Sequence, residues 1–270
     1  MTRRRPTLPA PAGLSLAAAL FLASAPLRAQ APADTFKNLQ VLPKDISRDS
    51  LFTVMRGFAD GLGVRCDFCH VAPEGTPFPK WPFQKDDKAT KRKARFMLRM
   101  VEYLNGERLP ELPEAAKAER EDPPVQVTCR TCHRGVPVPR PLDEVLALTA
   151  GSAGTDSAVA EYGDLRKAFY GRGAYDFGEE TLIAAARRRM ARQDTAGARR
   201  FLALNLESFP ESVRTYVALA QVAEARSDTA AALDALHRAA DLHPEGRTME
   251  HIQKEIERLS PPGTSGTSGP

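Results

Sequence analysis

The segments Cys66-Asp-Phe-Cys-His70 and Cys129-Arg-Thr-Cys-His133 are the most informative parts of this 270-residue sequence. They contain all four cysteines of the chain, and in both of them a Cys-x-x-Cys pair is followed directly by histidine. Only five residues of the chain are histidine, so a histidine after both pairs has a chance probability of roughly one in three thousand. The two segments therefore predict one kind of chemistry used twice.

The spacing within the motifs predicts two covalently bound haem c groups. Two thiols three residues apart can add to the two vinyl groups of one porphyrin, and the adjacent imidazole can reach the iron. The predicted attachment and axial residues are Cys66, Cys69 and His70 for the first haem, and Cys129, Cys132 and His133 for the second.

Three other uses of the cysteines explain the sequence less well. A four-cysteine zinc site commonly has its pairs about 15–20 residues apart, whereas Cys69 and Cys129 are 60 residues apart, and zinc would leave both histidines without a role. A redox-active dithiol needs a thioredoxin-like βαβ alternation, which the sequence does not contain. Two local disulfides would also leave the histidines unexplained.

Each iron of an electron carrier needs a sixth ligand, commonly Met or His. We predict Met55 for the first haem, because Gly61 and Gly63 end its helix and let the chain fold back toward His70. For the second haem, Met97 and Met100 lie one helical turn apart on one face, and spacing alone does not choose between them. The other three histidines are expected at the surface: His237, His243 and His251.

The N-terminal residues 1–29 are predicted to be a signal peptide, with a basic start, an apolar stretch and small residues before Ala29. Removing its four arginines from the 38 basic residues of the chain leaves 34, which equals the 34 acidic residues. A mature chain near zero net charge has no general affinity for nucleic acid. No later segment is apolar enough to span a membrane, so we expect a periplasmic or extracytoplasmic protein, free or held at the membrane by a partner.

Composition and periodicity predict an all-α chain, in which 42% of residues are hydrophobic and 7% aromatic. The haem block is the part of the chain that contains both motifs, residues 36–142. In this block we predict one helix from about Ser50 to Gly61 and a second from about Lys88 to Leu104. The basic residues of the second helix are expected on its solvated face: Lys91, Arg92, Lys93, Arg95 and Arg99.

The C-terminal half contains an internal repeat of 34 residues, seen in Asp194-Thr-Ala and Asp228-Thr-Ala and in Pro210 and Pro244. This period is typical of tetratricopeptide-like helical repeats, and Asn205 makes the first copy irregular. The predicted division of the chain is a linker at 30–35, a dihaem cytochrome domain at 36–142, a Gly/Ser-rich linker at 143–160, helical repeats at 161–260 and a flexible tail at 261–270.

The first block resembles the cytochrome c subunit of photosynthetic reaction centres. The resemblance lies in Phe36-Lys-Asn-Leu-Gln-Val-Leu, in Leu62-Gly-Val-Arg-Cys-Asp-Phe-Cys-His70, in Arg95-Phe-Met-Leu-Arg-Met100 and in Val127-Thr-Cys-Arg-Thr-Cys-His-Arg-Gly135. It implies an all-α haem domain in which Met55 pairs with His70, and Met97, the first Met of its segment, pairs with His133. It also implies electron transfer between redox proteins, one of which can be a membrane electron-transfer complex.

The sequence departs from that family in three respects. It contains two haem motifs where the reaction-centre subunit has four, it has no lipid-bearing cysteine near its N-terminus, and it adds the repeats. We therefore expect an exported dihaem electron carrier that is not an enzyme, with a repeat domain that docks a protein partner. The alternatives are a dihaem peroxidase or haem-based sensor with one open iron site, and a repeat-based scaffold with accessory haems.

Overall fold

The structure is a computed structural model that describes residues 36–112 and 126–261. Within these ranges all regular elements are helical, which confirms the predicted all-α class. The α-helices are α1 (Arg48–Leu62), α2 (Ala89–Tyr103), α3 (Cys129–His133), α4 (Leu142–Ala153), α5 (Thr155–Phe169), α6 (Glu179–Met190), α7 (Thr195–Ser208), α8 (Val213–Glu224), α9 (Thr229–Asp241) and α10 (Arg247–Leu259). The predicted signal peptide 1–29, the linker 30–35 and nearly all of the tail lie outside the described residues.

Helix α1 begins at Arg48, two residues before the predicted start near Ser50, and ends at the predicted glycines. The Ser47 hydroxyl accepts a hydrogen bond from the Ser50 N–H at 3.2 Å and caps the first turn. Gly63 has a φ of 64° and ends the helix with its N–H directed to the Asp60 carbonyl, while the Val64 N–H bonds Ala59 at 3.0 Å. This pair of bonds is a Schellman motif, and the chain turns sharply after it.

The expectation of a fully solvated basic face on α2 is wrong for Lys91 and Arg95, whose side chains are only 12% and 13% exposed. Arg95 donates two hydrogen bonds to the Asp86 carboxylate, at 2.7 and 2.9 Å, and Lys91 lies 2.9 Å from the same group. Lys91 also donates to the carbonyls of Phe83 and Lys85. Helix α2 is thereby tied to the proline-rich loop before it.

The stretch 143–160, predicted as a linker, is helical and belongs to α4 and α5. Its Gly, Ser and Thr content is typical of a flexible segment, but Leu142, Leu146 and Ala150 recur every four residues and are all buried. They pack with Ala158 and Tyr162 into one core that extends through α8. The haem block therefore joins the C-terminal half directly at Leu142.

The C-terminal half contains two helical hairpins that repeat the predicted 34-residue period. Asp194 and Asp228 cap α7 and α9 in the same way, each accepting the N–H of the residue three positions later. The preceding residues Gln193 and Ser227 have φ values of 60° and 58°. Helix α10 packs on α9 and closes a second core around Leu236 and Ile252.

Asn205, the irregular position of the first repeat, is fully buried on α7. Its amide nitrogen donates to the Thr215 hydroxyl at 2.8 Å and to the Glu179 carbonyl at 3.0 Å. The amide nitrogen thus links the starts of α6 and α8, whereas Oδ1 of Asn205 is buried without a hydrogen-bond partner among the described residues. Among the described residues, no helix is both long and apolar enough to cross a bilayer.

Candidate functional site

The first motif forms a short helical turn at Cys66–Phe68, and the His70 N–H bonds the Cys66 carbonyl at 2.9 Å. Cysteines three residues apart on a helical turn lie on one side of it, as bonding to a single porphyrin requires. The start of α2 holds this turn in place. The Thr90 hydroxyl donates to the Phe68 carbonyl at 2.5 Å, and the Lys88 ammonium donates to the Asp67 carbonyl.

His70 lies in an aromatic environment supplied by the loop before α2. The edge of its ring faces Phe83 at a centroid distance of 5.2 Å, and Phe83 in turn contacts Phe78 and Trp81. The pKa of His70 is lowered by burial and, to a smaller extent, by the nearby Lys91 ammonium. The imidazole is thereby favoured in its neutral form, which is the form that binds a metal ion.

The second motif forms the five-residue helix α3, capped by Thr128. The hydroxyl of Thr128 accepts the Thr131 N–H, and the Thr131 hydroxyl accepts the Thr128 N–H, so the two residues form a reciprocal capping box. Nδ1 of His133 lies 3.0 Å from the Val136 carbonyl. If Nδ1 carries the proton, this bond orients the ring and leaves Nε2 as the nitrogen that can bind iron.

The four cysteines are not joined in disulfides. Cys66 and Cys132 are exposed, whereas burial raises the pKa values of Cys69 and Cys129. Within the described residues no three His, Cys, Asp or Glu side chains are grouped as metal ligands.

A contact that the sequence does not reveal joins α1 to the second motif. The Gly135 N–H bonds the Gly61 carbonyl at 3.0 Å, and a Cβ atom placed on Gly61 would lie 3.2 Å from Cβ of Cys129. A Cβ atom on Gly63 would lie only 2.0 Å from the Gly135 carbonyl oxygen. The glycines that end α1 therefore also allow its close approach to α3, three to five residues before the first motif begins.

The predicted methionine ligands lie on the two long helices of this region. Met55 is half-buried in the middle of α1, while Met97 and Met100 on α2 are 41% and 40% exposed, so exposure does not distinguish these two. The end of α2 is fastened beside the second motif. Asn105 donates to the Val127 carbonyl and accepts the Val127 N–H, both at 2.8 Å.

The chemistry of this region fits a large apolar cofactor. In the described part of 36–135, Gly61 is the one buried residue, although α1 and α2 carry many apolar side chains. Phe96 on α2 is 66% exposed, and Nδ1 of His70 is buried without a hydrogen-bond partner among the described residues. A porphyrin among these side chains would supply the apolar contacts that a folded domain normally obtains from its own core.

The spare histidines lie at the surface, as predicted: His237, His243 and His251 are all exposed. They belong to the C-terminal half, whereas the candidate haem residues belong to the N-terminal block. The attachment role of the motif residues stays a prediction from the sequence. The packing residues Gly61, Gly63, Phe83 and Asn105 carry no local pattern that marks such a role.

Comparison with known proteins gives a match in the same region. Residues 37–148 match the family described as photosynthetic reaction centre cytochrome C subunit. The photosynthetic reaction center cytochrome c subunit of Thermochromatium tepidum is 32% identical over 91 residues, which cover 33% of this chain and 21% of that relative. No solved structure matches the chain. The family match thus lies in the N-terminal block, and the chain spans about a fifth of the length of the curated relative.

Proposed function

We propose that this chain is an electron carrier with two covalently bound haem c groups, because residues 37–148 match the photosynthetic reaction centre cytochrome c subunit family. The family points to a haem cytochrome in electron transfer. The proposal of two haems rests on the two Cys-x-x-Cys-His motifs, Cys66–His70 and Cys129–His133, which both form a helical turn. The shortage of buried side chains around both turns supports the same proposal.

Haem c supplies a one-electron couple when it is bound. In this proposal, the cysteine thiols attach the porphyrin as thioethers, and His70 and His133 bind the two irons. Met55 and Met97 would supply the second protein ligand of each iron, with Met100 as the alternative to Met97. Methionine–histidine ligation raises the reduction potential, and the aromatic side chains around His70 limit access of water.

The region from α4 to α10 is proposed to be a tetratricopeptide-like docking domain. Its support is the 34-residue spacing of the hairpins and the equivalent caps Asp194 and Asp228. Repeat stacks of this kind offer an extended surface to protein partners. We propose that a redox donor or acceptor binds here, and that the protein works outside the cytoplasm after removal of residues 1–29.

Counting the haems per chain tests the central proposal. The protein is produced by export in a host that matures c-type cytochromes, and intact mass is measured after denaturation, so that only covalent haem is retained. We expect two covalent haems per chain in the wild type. In Cys69→Ser the first haem, and in Cys132→Ser the second haem, should no longer be held stably by two thioether bonds. Colourless protein with four free thiols, or with bound zinc, would refute the proposal.

Three alanine variants test the axial ligands. Met55→Ala is expected to leave haem attached, to make one site high-spin and to lower its potential. Met97→Ala should do the same at the other site, with Met100→Ala as its matched control, one helical turn away and equally exposed. If the haem spectrum of Met55→Ala is unchanged, Met55 is not an iron ligand. If Met100→Ala alters the spectrum and Met97→Ala does not, Met100 is the ligand on α2 in place of Met97.

The same spectra separate the electron carrier from the peroxidase or sensor alternative. Two six-coordinate irons should not bind carbon monoxide in the reduced wild-type protein, whereas an open site would bind it readily. Carbon monoxide binding at one site of the wild type would therefore contradict the assignment of that site's methionine.

A further inference from the structure

An open cavity of about 490 Å³ lies between the second haem motif and the C-terminal helical domain. One wall contains Thr131, Cys132 and Arg134 from the motif and the residue after it. A second wall contains Asp176, just before α6, and Glu180 in its first turn. Its volume is in the range of cofactor and small-molecule sites.

The position of Cys132 relates this cavity to the proposed haem chemistry. Cys132 is exposed, lines the cavity and is the second predicted attachment cysteine of its motif, so the cavity borders the proposed haem-binding residues. The two walls are held together by the short connection 136–142, in which Val136 and Leu142 are buried. The Asp143 carboxylate fastens this connection further, since it accepts a hydrogen bond from Arg188 on α6 at 2.7 Å.

The charged groups that line the cavity differ in the hydrogen bonds and ion pairs that they form. Oε2 of Glu180 lies 2.8 Å from Arg214, but its Oε1 is buried and accepts no hydrogen bond from any described residue. Asp176 uses one carboxylate oxygen to accept the Gly178 N–H at 2.7 Å. On the motif wall, Arg134 forms no ion pair with the part of the chain that the structure describes.

From this arrangement we infer that the C-terminal domain is part of the second haem site, and that Glu180 and Asp176 lower the reduction potential of that haem relative to the first. The inference rests on the proposed function. These residues act as tuning residues, because they supply charge across the cavity and bind no iron. A domain that docks a partner would then also set the electron affinity of the haem beside it.

The direction of the effect follows from electrostatics. Oxidation of a haem iron adds one positive charge, and a nearby carboxylate stabilises the oxidised state more than the reduced one. Removing one negative charge should therefore favour reduction. Across a distance on the order of 10 Å, with an effective dielectric constant of about 50 because the cavity is open to water, we expect the ratio of reduced to oxidised second haem to rise about threefold at fixed potential. A tenfold ratio for one electron corresponds to about 59 mV, so this change is about 30 mV.

The experiment is a spectroscopic redox titration of the full-length holoprotein and its Glu180→Gln variant. The matched control is Glu224→Gln, which removes the same charge from the same domain and also breaks a contact with an arginine, Arg258, but does not border the cavity. Asp176→Asn is the second test variant, since it keeps an oxygen that can accept the Gly178 N–H. A parallel titration is made in a Met55→His background. This substitution should lower the reduction potential of the first haem, so the component that does not move is assigned to the second haem.

We expect the component assigned to the second haem to move to higher potential in Glu180→Gln and Asp176→Asn, and neither component to move in Glu224→Gln. An equal shift of both haems, a shift as large in Glu224→Gln, or no shift in either test variant would overturn the inference while leaving the two-haem carrier intact. Absence of covalent haem would refute the proposed function itself, and this inference with it.

Discussion

Replacing Gly63 with alanine tests the contact between α1 and the second motif most directly. The substitution introduces a Cβ atom at a residue with a φ of 64°, where an L side chain costs about 1–2 kcal/mol. The new atom would also lie 2.0 Å from the Gly135 carbonyl oxygen, so the backbone must move. Relief of such overpacking typically costs about 1–3 kcal/mol. The free energy of unfolding should fall by about 2–5 kcal/mol in total.

Gly75 provides a matched control for this prediction. Its φ is 67°, nearly that of Gly63, but no atom lies within 4 Å of a Cβ placed there. Gly75→Ala therefore reports the backbone strain alone, about 1–2 kcal/mol. The difference between the two variants isolates the cost of separating α1 from Gly135.

Denaturant unfolding of the holoprotein measures both variants. Trp81 is the sole tryptophan of the chain and lies in the haem block, so its fluorescence follows this block and not the repeats. Gly63→Ala should also perturb the absorption of the second haem, although Gly63 precedes the first motif. Equal destabilisation by the two substitutions, with both haem spectra unchanged, would refute the structural role assigned to the contact.

Two further predictions concern polar groups. The hydrogen bonds from Arg95 hold the pKa of the Asp86 carboxyl well below its usual value of 3.8, so its stabilisation is present above about pH 4 and is lost as the pH falls below it. The difference in stability between wild type and Asp86→Asn should accordingly narrow below pH 4. The exposed Asp87→Asn serves as control, and a difference that stays constant from pH 7 to 3 would contradict the assignment. In the repeats, Asn205→Ala removes the bond to Thr215 and leaves a small cavity, which should cost about 2–4 kcal/mol in thermal unfolding followed by circular dichroism. A loss below about 0.5 kcal/mol would show that the buried amide contributes little.

The limits of the helices in the haem block were predictable because their signals are local. Ser47 caps α1 and Gly63 ends it through backbone conformation, so neither residue depends on distant parts of the chain. The 34-residue period was likewise visible in the sequence, since Asp194 and Asp228 stand at equivalent caps. Patterns within one or two helical turns are sufficient for such assignments.

The assignment of 143–160 as a linker failed for the opposite reason. A stretch rich in Gly, Ser, Ala and Thr has little apolar area of its own, and its helices form because distant side chains cover Leu146 and Ala150. The solvated role predicted for Lys91 and Arg95 failed in the same way. Their partners, Asp86 and the carbonyls near Phe83, lie in an irregular loop whose path is not encoded by periodicity.

The amino-acid sequence alone was therefore sufficient to predict the helical class, and it supplies the hypotheses on chemistry: the two Cys-x-x-Cys-His motifs, the candidate methionines and the repeat. Each of these depends on residue identity at short spacing. Only the tertiary structure decided that Gly61 and Gly63 pack against the second motif and that Glu180 and Cys132 line the same cavity. These contacts join residues about 50 to 70 positions apart, and they are set by how whole helices pack, which no local pattern specifies.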